Sequence, residues 1–127
     1  MIQIDKMSRQ PLYEQMIKAI ENEILMGYIK EGEKISSVRD ISRELSVNPN
    51  TIQKAFLDLD RRGIISSSPG IGTFVAEKAK EKIQKESGEK LDDLHNVVYE
   101  LAIARVPKKD VVSTIDKAYK KAEETLK

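Results

Sequence analysis

A chain of 127 residues, 34% of them charged and none cysteine, has room for one small domain or one domain with an appendage. It has no means of making disulfides or thiolate metal sites. Its 22 Lys and Arg against 21 Asp and Glu exclude any bulk-charge argument for a polyanionic partner, so such an argument rests on where the charges stand.

The N-terminus, MIQIDKMSRQ, lacks a signal-type apolar core, and no apolar run reaches the ~18 residues a membrane helix needs. The expectation is a cytoplasmic protein with no membrane segment. Low aromatic content with much Lys, Glu, Ile and Leu favours a mainly helical fold. Pro11 opens the first periodic segment, where Leu12, Met16, Ile17, Ile20, Ile24 and Leu25 predict a helix over about 11–26, with Pro11 in its first turn and Gly27 ending it. "YIKEGEK" then reads as a polar connection that turns at Gly32. Ser37 caps the next helix, whose buried side is Val38, Ile41 and Leu45. "SVNPN" interrupts it, because Pro49 disfavours helical geometry at Asn48 and suits the start of a new helix. Ile52, Ala55, Phe56 and Leu59 form the apolar stripe of that helix, which ends at Gly63. Two short strands follow, around Ile64-Ile65 and Phe74-Val75, with Pro69, Gly70 and Gly72 at the bend.

Composition changes after Ala76. "EKAKEKIQKESGEK" is almost wholly charged and reads as either a solvated helix or a linker, weakest at Ser87-Gly88. Leu91, Leu94, Val98, Leu101 and Arg105 then repeat at three- and four-residue steps, widened by Val97 and Ala102. Beyond Pro107, a last amphipathic helix carries Val111 or Val112, Ile115, Ala118 or Tyr119, Ala122 and Leu126. Two such stripes are too wide to bury on each other, and the simplest cover is the same segment of a second chain. That makes Leu91, Leu94, Val98, Leu101, Val112, Ile115 and Tyr119 the candidate dimerisation residues. The expected domains are 1–76 and a helical tail, 77–127.

The fold class is therefore mainly α with a small β-hairpin: a winged helix-turn-helix domain for binding DNA, followed by a C-terminal helical dimerisation tail. In that design the second helix of the pair lies in the major groove and the hairpin touches the adjacent backbone or minor groove. The break at Ser46–Pro49 sets the angle between two short helices and projects the start of the second one outward. Asn and Gln pair with adenine edges and Arg and Lys favour guanine or phosphate, which makes Asn48, Asn50, Thr51, Gln53 and Lys54 a candidate reading head. Arg39 and Arg43 lie beside it. Between residues 34 and 54, Lys34, Arg39, Arg43 and Lys54 oppose only Asp40 and Glu44.

Across about residues 9–77, the joint spacing of "SVR", "NPNT", "L-x-x-x-G-I" and "G-x-G-T-F-V" resembles the DNA-binding domain of the GntR family of bacterial transcription regulators. The short two-helix tail is similar to that of its YtrA-like subfamily. The resemblance implies DNA contacts at Arg39, Asn48, Asn50, Thr51, Gln53 and the wing-tip Gly70, and dimerisation through the tail. It also implies operons for ABC-type transporters, and the regulator's own operon, as targets. Two positions depart from the family pattern: Ser36 replaces the usual proline before "SVR", and Gln53 stands where other branches use arginine. The operator therefore does not carry over from those branches.

Each residue also has a plainer reading. Arg39 and Arg43 would be a solvated helix face, Asn48, Asn50 and Thr51 caps, and Gly70 and Gly72 turn glycines; Arg61 and Arg62 read as solvating the helix end. His95, near Asp92, Asp93 and Glu100, has too few neighbours of ligand type for a closed metal site. No nucleophile–base pair, phosphate-cradling loop or carboxylate dyad stands out, so the reading is not an enzyme and needs no cofactor. The partners expected are double-stranded operator DNA and a second copy of the chain, with no effector assigned. The function read is a homodimeric, sequence-specific repressor; the alternatives are a winged-helix protein-interaction adaptor and a ligand-responsive activator.

Overall fold

The computed structural model describes residues 2–126, which form two compact units dividing between Gln84 and Lys85. The first runs α1 (Leu12–Leu25), β1 (Lys34–Ile35), α2 (Val38–Leu45), α3 (Pro49–Arg61), β2 (Ile65–Ser68), β3 (Gly72–Val75) and most of α4 (Ala79–Gly88). The second holds α5 (Lys90–Ile103) and α6 (Lys108–Leu126).

The core of the first unit is the set of stripes that helical periodicity picks out. Met16, Ile20 and Ile24 of α1 meet Ile52, Ala55, Phe56 and Leu59 of α3, closed by Ile41 of α2 and by Ile35, Ile65 and Val75 of the sheet. Ser37 caps α2 as expected, its Oγ accepting the Asp40 N–H at 3.1 Å. Gly27 and Gly63 follow α1 and α3 with φ of 81° and 76°, the left-handed geometry that glycine adopts without a Cβ penalty. Pro11 stands one place earlier than expected: its ψ of 142° makes it the cap of α1 rather than part of the first turn.

The sheet has three strands in the order β1-β3-β2, all antiparallel. The hairpin was expected; β1 was not. Part of the "polar connection" pairs with β3, in the register Lys34↔Phe74 and Ile35↔Thr73. Gly32, at φ 82°, turns the chain back so that its N–H reaches the Val75 carbonyl at 2.8 Å. The Val75 N–H in turn reaches the Glu33 carbonyl at 2.9 Å.

The break between α2 and α3 begins before proline acts. Ser46 takes φ 53°, ψ 46°, a left-handed conformation that costs a non-glycine residue roughly 1–2 kcal/mol. Ser42 holds the turn closed: its carbonyl accepts the Val47 N–H at 3.1 Å and its hydroxyl donates to the Val47 carbonyl at 2.5 Å. Val47 is buried and anchors the turn in the core. Pro49 then opens α3, as its missing N–H allows.

α4 is neither a linker nor a fully solvated helix. Ala79 and Ile83, one turn apart, are buried in the first unit's core, which is why that unit extends to Gln84 rather than to Ala76. The tail differs in a smaller way: α5 ends at Ile103, and Arg105, read as part of the seam, sits at φ 63° in the turn that follows. No residue of α5 or α6 is buried. Leu94, Val97, Val98 and Leu101 line a groove of about 290 Å³ with Val111 and Ile115, while Leu91 and Tyr119 are 66% and 71% exposed.

Because Ile83 fills the first unit's core, Ile83→Ala should lower unfolding free energy by about 2–4 kcal/mol in denaturant titration, against less than about 0.5 for a solvated position.

Candidate nucleic-acid interface

On α3 the face opposite the core carries Asn50, Gln53, Lys54, Leu57 and Arg61, spaced by three and four residues. All five are exposed. Among the described residues Asn50 and Gln53 make no hydrogen bond through their side-chain amides, which leaves the donor and acceptor of each exposed side chain available. Leu57, 54% exposed in the middle of this face, was missed in the sequence reading, although three- and four-residue spacing from Asn50 marks it. An apolar side chain there suits contact with a thymine methyl.

Asn48 serves two ends. Its Oδ1 accepts the Asn50 N–H at 2.8 Å and so caps α3. The amide NH₂ is left free to donate outward, to a phosphate or to a base acceptor. Thr51 is half-buried in the first turn of α3.

The cations divide into two groups. Arg39 and Arg43 lie one turn apart on α2, exposed and without a carboxylate partner among the described residues. Arg62, by contrast, does not simply solvate the helix end. It donates to the buried Glu21 carboxylate at 3.0 Å and to Asp58 at 2.9 Å, tying the end of α3 to α1. About two helical turns earlier, the Lys54 ammonium sits 3.8 Å from the Tyr13 ring centroid, a second tie between the same helices. The ring attracts the ammonium but supplies no countercharge, so Lys54 remains a source of positive potential beside Asn50 and Gln53.

The wing carries no Lys or Arg from Ile64 to Val75. Its nearest cation is Lys34 of β1, whose aliphatic stem lies across Gly72: a Cβ at Gly72 would sit 2.5 Å from the Lys34 Cε. Gly70, at φ 77°, has open space where a Cβ would stand, so its conformation rather than crowding favours glycine. Ser37, Ser68, Gly70 and Lys34 line a concavity of about 760 Å³ between the start of α2 and the wing. The structure thus presents Arg39, Arg43, Asn48, Asn50, Gln53, Lys54 and Gly70 to solvent on α2, α3 and the hairpin. His95 is exposed on α5, and no group of three or more His, Cys, Asp or Glu residues suited to a metal occurs among the described residues. No helix among them is long and apolar enough to cross a membrane.

Residues 12–75 match the family model described as "Bacterial regulatory proteins, gntR family". The chain is 45% identical over 80 residues to the HTH-type transcriptional repressor YtrA of Bacillus subtilis (strain 168), a match covering 63% of this chain and 62% of that protein. It thus spans about three-fifths of the length of that curated relative. Among solved structures, a transcriptional antiterminator from Listeria monocytogenes EGD-e superimposes with a TM-score of 0.76 at 31% identity, covering 94% of this chain and 90% of that one. The DNA-binding domain of AraR in complex with operator ORX1 superimposes with a TM-score of 0.53 at 33% identity, covering 58% and 92%.

Asn48→Ala should cost about 1 kcal/mol of stability by removing the cap, while Asn48→Asp, which keeps the acceptor, should stay within about 0.5. Chemical denaturation checks both; equal losses would show that the cap is not what Asn48 provides.

Proposed function

The chain belongs to the GntR family of bacterial regulatory proteins and is YtrA-like within it, and on that premise we propose that it is a homodimeric, sequence-specific repressor that binds double-stranded operator DNA. One observation carries this reading: Asn50 and Gln53 offer amides unengaged among the described residues on the exposed face of α3, and α2 adds the exposed Arg39 and Arg43, which have no carboxylate partner there. B-DNA's major groove, roughly 12 Å wide, admits such a helix, and bidentate amide-to-adenine pairs there discriminate by about 1–3 kcal/mol each. Arg39 and Arg43 provide positive charge for phosphates or guanine edges, and Asn48 and Thr51 donate at the start of the helix. The wing reaches the neighbouring backbone or minor groove through Gly70, with Lys34 as its cation.

The tail has the complementary task. α5 and α6 together leave Leu91, Leu94, Val112, Ile115 and Tyr119 exposed, and an apolar face of this kind is covered when a second copy supplies its own. A two-fold dimer presents two α3 helices to half-sites about one helical turn apart. Occupying the promoter then blocks polymerase sterically. The likeness to a named transcriptional repressor supports repression, and a transporter-type operon and the regulator's own operon are the targets that the subfamily resemblance of the short tail implies.

Arg39→Ala should weaken operator binding by about 1–3 kcal/mol in a fluorescence-anisotropy titration while the circular dichroism spectrum stays native. A folded variant that binds like wild type would remove Arg39 from the interface. The Leu91→Glu/Tyr119→Glu double variant should sediment as a monomer and lose roughly 100-fold in affinity for a two-half-site duplex; a dimer of unchanged mass would show that the tail faces do not join two copies.

A further inference from the structure

Ahead of α1, residues 5–10 form a loop that the family model, whose match begins at Leu12, does not include. The loop is built rather than loose. The Gln15 side chain clasps it from α1: its Oε1 accepts the Asp5 N–H at 2.7 Å, and its Nε2 donates to the Asp5 carbonyl at 3.0 Å and the Gln10 carbonyl at 2.8 Å. Inside the loop, the Asp5 carboxylate accepts the Met7 N–H at 2.9 Å, the Asp5 carbonyl accepts the Ser8 N–H at 3.2 Å, and the Ser8 hydroxyl accepts the Gln10 N–H at 3.1 Å. Its position is set as well. The Lys6 Nζ donates to the Ser46 carbonyl at 2.9 Å, which seats the loop against the turn between α2 and α3, two residues before the cap of the reading helix.

The side chains left facing outward are cationic. Arg9 is exposed and has no carboxylate partner among the described residues, and Lys6 is held by a neutral carbonyl that leaves its charge uncompensated. The one acid of the loop, Asp5, is turned onto its own backbone. We infer that this loop is a further contact to the DNA sugar-phosphate backbone, with Arg9 donating to a phosphate beside the α3 half-site and Gln15 acting as the positioning residue that presents it. The inference rests on the proposed DNA-binding reading. Phosphates rather than bases fit the loop because its N–H groups at Asp5, Met7, Ser8 and Gln10 are already engaged, leaving a charged fork and a second charge as the outward chemistry.

The test uses the full chain and an operator duplex recovered by selecting bound genomic fragments, with affinity measured across a range of salt concentrations. Each phosphate neutralised adds about 0.9 to the slope of log affinity against log salt. Arg9→Gln should lower that slope by about 1 with thermal stability unchanged. Gln15→Ala should lower it by as much or more, and adding Arg9→Gln to Gln15→Ala should lower it by less than Arg9→Gln does alone. An unchanged slope in Arg9→Gln overturns the inference while leaving the DNA-binding reading intact. A loss of stability in Gln15→Ala with the wild-type slope retained also overturns it, because the clasp would then serve folding only. Failure of the wild-type chain to bind any genomic duplex overturns both.

Discussion

Between α2 and α3 the chain has three residues, Ser46 to Asn48, in which to end one helix and start another. Ser46 meets that constraint at φ 53°, and the groups around it are satisfied one by one. The Ser42 carbonyl and hydroxyl hold Val47, Lys6 holds the Ser46 carbonyl, and Asn48 takes the Asn50 N–H. Local strain of roughly 1–2 kcal/mol is offset by these bonds and by burial of Val47. Everything proposed about recognition depends on this turn, because it decides that the polar start of α3 faces outward while Ile52, Ala55, Phe56 and Leu59 face the core.

The position of α3 is held by α1. The Glu21–Arg62 ion pair and the Tyr13–Lys54 stack join α1 and α3 at two points about two turns apart, alongside the apolar seam between them. A buried carboxylate such as Glu21 is costly unless paired, so the pair is a poor source of net stability but a strong constraint on position. A helix held in this way can place two amides within hydrogen-bond tolerance of a base edge without losing much side-chain freedom on binding. Among the described residues Arg62 is paired with carboxylates, while Arg39, Arg43 and Lys54 have no carboxylate partner.

Much of this was legible in the sequence. The stripes of α1 and α3, the Ser37 and Asn48 caps and the glycine-bounded hairpin are local signals of period or turn chemistry, and the exposed amides of α3 follow from them. The missing parts are non-local or too short to show a period. β1 is two residues long and exists only because β3 pairs with it. In α4, Ala79 and Ile83 are two apolar residues among charges, and only the fold shows that they share a buried face. Ser46 in a left-handed conformation has no residue signature of the kind glycine provides. The Lys6–Ser46 and Glu21–Arg62 contacts span 40 and 41 residues. Leu57 was readable from spacing alone, but apolar residues draw attention on a core face rather than on a polar one.

Hydroxyl-radical footprinting of the full chain on a genomic fragment it selects tests the central claim most directly. The account predicts two protected patches related by two-fold symmetry, centred roughly 10 base pairs or a multiple apart, with binding impaired in each by N7-methylguanine or by 7-deazaadenine, both of which alter the major-groove edge. A single asymmetric patch, or protection without major-groove interference, would contradict it.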